Sequence, residues 1–328
     1  MLLITNVYNI QIPEPLGRGL QLSDGVFLTN ERERIAKLVS PTLERMMGGL
    51  EYRSLLDTAH AIHWTTRAFP KAESDPQLAE KLLADWLQMM RVYLQSLWLV
   101  RDHAVDCEIG FAESEHPIKG TMGSSNFIGV LTFKSDGSRN STEFTLDELK
   151  TARSYCNDFL LPLAVGDAEY LKDAMPKPRK RSPFSKGRGR LNRFNYFLSA
   201  ARSEGQPAVR VSLYMTCMEI LFSTETAELT HLLSQRVAFF LGDTSDERKE
   251  IFRTMKRAYG IRSKIVHGGT LSPKWEDELE QVSIEIDALV RRIFVKILGD
   301  KELFHRFEQR KEDELNDYFL DLIFQKGV

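Results

Sequence analysis

The sequence predicts a mainly α-helical protein, with a helical bundle at the C-terminal end and a mixed α+β domain before it. Three observations lead there. From Leu191 onward, apolar residues recur at helical spacing between capping signals. In roughly the first 135 residues, short apolar runs are broken by turn residues, as in strands. Between the two lies segment 176–190, which holds Lys177, Arg179, Lys180, Arg181, Lys186, Arg188 and Arg190 and no acid. The expected organisation is therefore an α+β domain over 1–175, a basic linker over 176–190 and a helical domain over 191–328. A chain of 328 residues is long enough for two cores.

The first thirty residues read as extended. Ile10 to Ile12 and Val26 to Leu28 are strand candidates, with Gly17, Gly19 and Asp24-Gly25 as turns. Gly17 and Gly19 lack the third glycine of a dinucleotide fingerprint. Asn30 is expected to cap a helix over Glu31 to Val39, with Glu33 three residues on. Ser40-Pro41 opens a further helical turn that Gly48-Gly49 closes. Tyr52 to Thr65 fits strand or helix. On a helix His60 and His63 would share a face at a metal-binding spacing, but no third ligand lies nearby, so packing is the expected role. A long helix is expected from Ser74 or Asp75 as cap, through Pro76, to about Arg101. Leu82, Trp86, Met89, Met90, Tyr93, Leu97 and Val100 form its core stripe. Val105 to Phe111 and Phe127 to Phe133 read as two strands, paired with each other and ended by Asp136-Gly137. Thr145 and Glu148 form a capping box for a helix reaching about Leu161.

The basic segment 176–190 also holds Pro183, Gly187 and Gly189, which discourage regular structure. It is either an arm that grips RNA phosphates through residues such as Arg179, Lys180 and Arg181, or a solvated hinge. Beyond it, helices are expected from Leu191, over Val209 to Phe222, from Glu225 or Thr226 to Leu241-Gly242, from a Thr244/Glu247 capping box to His267, and from Ser272-Pro273 to about Leu298. One or two short helices over Lys301 to Phe324 finish the chain.

Composition narrows the function classes. The formal net charge is −2, so no global basic field marks a nucleic-acid binder and any RNA contact must be local. Three widely spaced cysteines, Cys107, Cys156 and Cys217, give neither a disulfide framework nor a zinc pattern, as expected of reduced thiols in the cytoplasm. The start, MLLITNVYNIQIPEP, lacks the features of a signal peptide. The most apolar segment, Leu82 to Val100, is interrupted by Asp85, Gln88, Arg91 and Gln95, so no membrane helix is expected. No acidic metal cluster is apparent, and no cofactor is expected.

The residues suited to chemistry lie in Ala258 to Gly269, AYGIRSKIVHGG. Arg262 is a permanent cation whose planar fork fits phosphate oxygens. His267, five residues on, can move a proton near neutral pH. Together they suit cleavage of a phosphodiester by an internal 2′-hydroxyl. On an ideal wheel Ile251, Phe252, Met255, Ala258, Tyr259 and Val266 form an apolar face with Arg262 in its middle. That placement is costly for a charge unless it is paired, and Glu219 is a candidate partner. Lys249, Arg253, Lys256, Arg257 and Lys264 line the opposite face, with His267 on their side. Arg262 and His267 are then about 140° apart, with about 7.5 Å of rise. Two remedies suggest themselves: the helix ends before His267, or a second protomer completes the pair across a two-fold axis. On spacing alone the structural reading prevails, with Arg262 in an ion pair and His267 facing the helix dipole, and it is the place of Arg262 on an apolar face, with the longer match below, that favours a site.

The string Tyr259, Arg262, Ser263, His267, Gly268 resembles the R-x4-6-H motif of HEPN domains, in the form found in their Apea-like branch. Met218 to Phe222 and Glu228 to Phe239, including His231 and Arg236, extend the resemblance, which covers roughly the last two fifths of the chain. It implies a HEPN-type helical bundle, a homodimer with a composite site, and metal-independent cleavage of RNA. It also implies a role as a defence, abortive-infection or toxin effector. Arg262 and His267 would be catalytic, Ser263 and Glu219 supporting, and Lys256, Arg257, Lys264, Arg179, Lys180 and Arg181 RNA-binding. His231 and Arg236 are expected to be structural or supporting. Gly269 stands where some HEPN toxins carry a tyrosine that a partner nucleotidyltransferase modifies, so control by that route is not expected. The rival expectation is a non-catalytic module that holds RNA, a nucleotide or a protein.

Overall fold

A computed structural model describes residues 1–67, 75–165, 183–185, 188–224, 229–309 and 312–325. The chain is mainly helical and divides into two compact units. One comprises Met1–Thr132 and Arg139–Pro178, the other Phe133–Ser138 and Arg179–Val328.

The first unit is built on an antiparallel sheet of β1 (Leu2–Asn6), β3 (Leu20–Ser23), β4 (Val26–Thr29), β5 (Ala61–Thr65), β6 (Ile109–His116) and β7 (Gly120–Phe127), in the order β3-β4-β5-β1-β6-β7. β2 (Ile10–Gln11) and β8 (Thr142–Glu143) form a separate parallel pair. β1 is central and buried on both faces. Leu3 joins one core, while Leu2 and Ile4 join the other. The first core is covered by α4 (Pro76–Leu97), and the second by α1 (Arg32–Leu38), α2 (Pro41–Met47) and α3 (Gly49–Thr58). Gly110 lets α4 lie close on the sheet, since a Cβ there would meet Leu87 at 2.8 Å. The expected stripe on α4 faces this core, with Leu82, Trp86, Met90, Tyr93 and Leu97 buried.

Several caps form as read from the sequence. Ser40 Oγ accepts from Leu43 N–H, Asp75 from Gln77 N–H, and Thr145 and Glu148 make a reciprocal box. α5 (Leu146–Tyr155) then loosens into a π-helical turn over Cys156–Leu160 before α6 (Leu161–Val165). Other expectations need correction. Asn30 does not cap α1. Its amide donates to the Ile12 and Glu14 carbonyls and accepts from Leu16 N–H, tying down the preceding loop. Tyr52 to Thr65 is neither one helix nor one strand but the end of α3 followed by β5. His63 lies buried on β5, stacked on Phe27, and shares no helix face with His60. The β6 partner is Gly120–Phe127 rather than Phe127–Phe133. Residues 128–133 run on without a ladder, and Thr132 N–H is taken by Asp106 Oδ2 at 2.8 Å.

The second unit is a bundle of α7 (Arg190–Arg202), α8 (Pro207–Phe222), α9 (Leu229–Leu241), α10 (Ser245–Val266), α11 (Pro273–Leu298), α12 (Lys301–Gln309) and α13 (Glu312–Gln325). α8 is apolar nearly all round and sits at the centre, where Val211, Tyr214, Met215, Cys217, Met218, Leu221 and Phe222 are buried. Phe222, Phe240, Phe307 and Phe319 pack ring against ring at one end. The hexapeptide Phe133–Ser138 belongs to this unit although the sequence places it in the first. Arg210 donates to the carbonyls of Lys134, Ala201 and Glu204, Ser283 Oγ to Ser135 O, and Phe133 N–H to Arg202 O. Among the described residues no helix is long and apolar enough to cross a membrane.

Candidate active site and an adjoining basic groove

α10 positions the residues of the R-x4-H motif. Its N-terminus is fixed by Thr244 Oγ1 accepting from Glu247 N–H. The Glu247 carboxylate reaches Asp243 N–H rather than Thr244, so the capping box is only half made. Ile251, Thr254, Met255, Ala258 and Ile261 are buried, which turns the expected apolar face inward. Val266 does not follow it. The last turn runs beyond the packed core and leaves Val266 56% exposed.

Arg262 points from α10 toward α8. Its Nη2 donates to Glu219 Oε2 at 3.1 Å, and its guanidinium lies 5.5 Å from the centre of the Tyr259 ring. The two charged side chains are 23% and 19% exposed, so the pair is shielded but open to a ligand on one side. Contact is at one point only. Arg262 Nε and Glu219 Oε1 are buried with no hydrogen-bond partner among the described residues. Burial pushes the Glu219 carboxyl above its usual range, against the opposing pull of Arg262 and the Tyr259 hydroxyl.

His267 is the C-cap of α10 and is exposed. Its N–H bonds to Ser263 O at 3.2 Å, and Gly268 follows at φ +69°. The backbone at His267, φ −90° and ψ 10°, has left the helical region. The helix thus ends at Val266, just before His267, as one of the two remedies expected, while about 140° of helical rotation still separates the two positions. Ser263 lies nearer the side of His267, and its hydroxyl makes no hydrogen bond to Arg262 among the described residues. Lys256, Arg257 and Lys264 are exposed, with Arg257 bound to Glu285 Oε2 at 2.6 Å. Arg179, Lys180 and Arg181 lie outside the described residues.

His231 and Arg236 separate. Arg236 is buried, donating to Phe222 O, Thr224 Oγ1 and Asn316 and lying over Phe319, which makes it a structural pin between helices. His231 is exposed, with its edge against Phe252 at 5.3 Å. It belongs to a groove of about 1170 Å³ between α9 and α10, lined by Phe239, Phe252, Arg253, Lys256 and Arg257 among others. Most of its cations lie more than about 90° round α10 from Arg262, while Phe252 is about 80° from it. Sequence reasoning did not find it, because its rings and cations come from two helices. A usable signal was present in the spacing of Phe252, Arg253, Lys256 and Arg257 at helical neighbours. Among the described residues no group of three His, Cys, Asp or Glu could hold a metal ion. Comparison with protein-family models, curated proteins and solved structures finds no match to this chain.

Proposed function

We propose that the second unit is a metal-independent endoribonuclease of the HEPN type, acting as a homodimer, with Arg262 and His267 as its catalytic residues. The observation that carries this reading is the state of Arg262. It is a guanidinium on an otherwise apolar helix face, held at one point by Glu219 and still reachable from solvent. Glu219 and Tyr259 fix its position while leaving donors for a phosphate. His267 is exposed at the end of the same helix, free to meet a substrate.

In the proposed reaction the RNA 2′-oxygen attacks the adjacent phosphorus, and the bond to the 5′-oxygen breaks. One product ends in a 2′,3′-cyclic phosphate and the other in a 5′-hydroxyl. His267 takes the 2′-hydroxyl proton or gives a proton to the leaving oxygen. Arg262 stabilises the charge that builds on the five-coordinate phosphate. A role in defence or abortive infection, by cutting cellular RNA when triggered, belongs to this reading.

The test is cleavage of total RNA in EDTA by the purified full chain. Cleavage is expected to persist, to yield cyclic or opened phosphate ends, and to stop when the 2′-hydroxyl at the cut site is replaced by hydrogen. A requirement for Mg²⁺, or equal cutting of DNA, overturns the mechanism. The Glu219 pairing favours one second reading, in which Arg262 is structural and the bundle holds RNA, a nucleotide or a protein without cutting. RNA that binds but stays intact, with wild-type and His267→Ala proteins alike, selects that reading.

A further inference from the structure

The groove between α9 and α10 combines two features that belong together. Its walls carry aromatic rings, Phe239 from α9 and Phe252 from α10, both half-buried. Cations line the same walls. Arg248 lies over Phe239 at 4.7 Å and Lys256 over Phe252 at 5.8 Å. Some of these charges are engaged: Arg248 donates to the carbonyls of Gly242 and Asp243, Lys249 meets Asp246 at 3.1 Å, and Arg257 meets Glu285. Arg253 and Lys256 have no carboxylate partner among the described residues, and Glu250 is the only acid in the lining. In a protein of net charge −2, this is a local surplus of positive charge beside stacking surfaces.

We propose that this groove binds single-stranded RNA, with bases stacked on Phe252 and Phe239 and phosphates held by Arg253 and Lys256. Half-buried aromatic rings accept the π-face of an unpaired base once the cations over them move to its phosphates, whereas a duplex keeps its bases buried in its own stack. The cations from Lys249 to Arg257 extend over about 12 Å of helix, more than one nucleotide needs. The stripe also has a direction. At about 100° per residue, Lys249, Lys256, Gly260 and His267 fall within about 40° of one another. Trp275 from α11 covers Gly260, where a Cβ would meet its ring at 2.9 Å, and offers a further stacking surface on that line. A strand leaving the groove past Lys256 therefore runs over Trp275 toward His267. This last step rests on the ribonuclease reading, whereas binding in the groove does not.

The experiment uses the full chain carrying His267→Ala, so that cleavage is suspended, and a labelled single-stranded RNA of about a dozen nucleotides followed by fluorescence anisotropy. The Arg253→Ala/Lys256→Ala pair, on exposed positions, is expected to weaken binding about tenfold and to lower the salt slope by about 1.4, two phosphates at roughly 0.7 each. Phe252→Ala is expected to weaken it by about tenfold with the salt slope unchanged. A duplex of the same sequence should bind more weakly and ignore Phe252→Ala. The proposal is overturned if the parent protein binds no single strand, if the double variant binds as the parent does, or if an acidic peptide such as polyglutamate competes as well as RNA. The two readings fail differently. Groove-dependent binding without EDTA-resistant cleavage by the wild type removes the ribonuclease and leaves the groove. Cleavage that survives the groove substitutions unchanged removes the groove alone.

Discussion

Removing Arg262 should reveal whether it holds the fold, the phosphate or both. In the structure its partner Glu219 is 19% exposed and already pushed upward by burial. Arg262→Ala deletes the nearest opposing charge and strands the carboxylate. Breaking a fully buried pair costs about 3–5 kcal/mol and an exposed one less than about 1, so this pair, mostly but not wholly shielded, should lose about 2 kcal/mol. For a bundle of this size that lowers Tm by about 4–8 °C. Arg262→Ala/Glu219→Gln has no stranded charge and should recover most of the loss. The effect also has a pH signature. Without Arg262 the folded-state pKa of Glu219 rises further above its unfolded value. The folded form then binds the extra proton, and stability falls as pH rises through that window. The gap in Tm between the single and double variants should be small near pH 4 and open fully by pH 7. Thermal melts at both pH values measure it, alongside RNA cleavage. The stable double variant should remain inactive, because a neutral amide in place of the Glu219 carboxylate does not restore the missing guanidinium. A gap that is absent at pH 7, or independent of pH, refutes the stranded charge. Full cleavage by the double variant refutes a catalytic Arg262.

Three further outcomes are expected. In co-expressed, doubly tagged heterodimers of Arg262→Ala with His267→Ala, one of two composite sites keeps both groups, so about half the wild-type cleavage should return; no recovery means the pair acts within one chain. Replacing Arg179, Lys180 and Arg181 with Ala should flatten the salt dependence of RNA binding by about 2 if the segment grips phosphates, and leave it unchanged if the segment is a hinge. In the first unit, burial and Arg34 lower His63 to about 4, while burial raises Asp106 to about 6. As pH falls from 6.5 to 4, neutral His63 should cost about 3 kcal/mol and protonation of Asp106 should return a similar amount. These two contributions should therefore nearly cancel, and His63→Phe should raise stability at pH 4.5 relative to pH 7 when compared with the wild type in denaturant melts; an unchanged difference between the two pH values would contradict the assignment.

The parts legible in the sequence are those decided within a few residues. Ser40-Pro41, Asp75-Pro76 and Thr145 with Glu148 start helices because the cap and the N–H it satisfies are two or three positions apart. Asn30 has the same chemistry, yet its amide is used on a loop fourteen to eighteen residues upstream in the chain. Phe127 to Phe133 has strand composition but no partner edge, because β7 has already paired with β6 and Asp106 has taken the Thr132 N–H. The Arg262–Glu219 contact could be anticipated, since a charge on an apolar helix face demands a counter-charge on the neighbouring helix. Of the groove only the α10 wall was legible, in the spacing of Phe252, Arg253, Lys256 and Arg257, since Phe239 joins it only when α9 and α10 pack together.

α10 thus presents two different surfaces, and their opposition bears on how the proposed site is assembled. Arg262 faces α8 and is anchored there by Glu219, while the basic stripe and His267 face away from it. The angle of about 140° and the rise of about 7.5 Å are those of an ideal helix carried one residue past its end at Val266. In the proposed homodimer the second group would come from another copy, across a two-fold axis close to the C-terminal end of α10. The exposed Val266 lies in that last turn, between Arg262 and His267 in the sequence, where an apolar contact across such an axis would cover it. Substituting Val266 with Glu places two like charges at that axis and is the perturbation that separates the dimer from the site, since it leaves Arg262, Glu219 and His267 untouched.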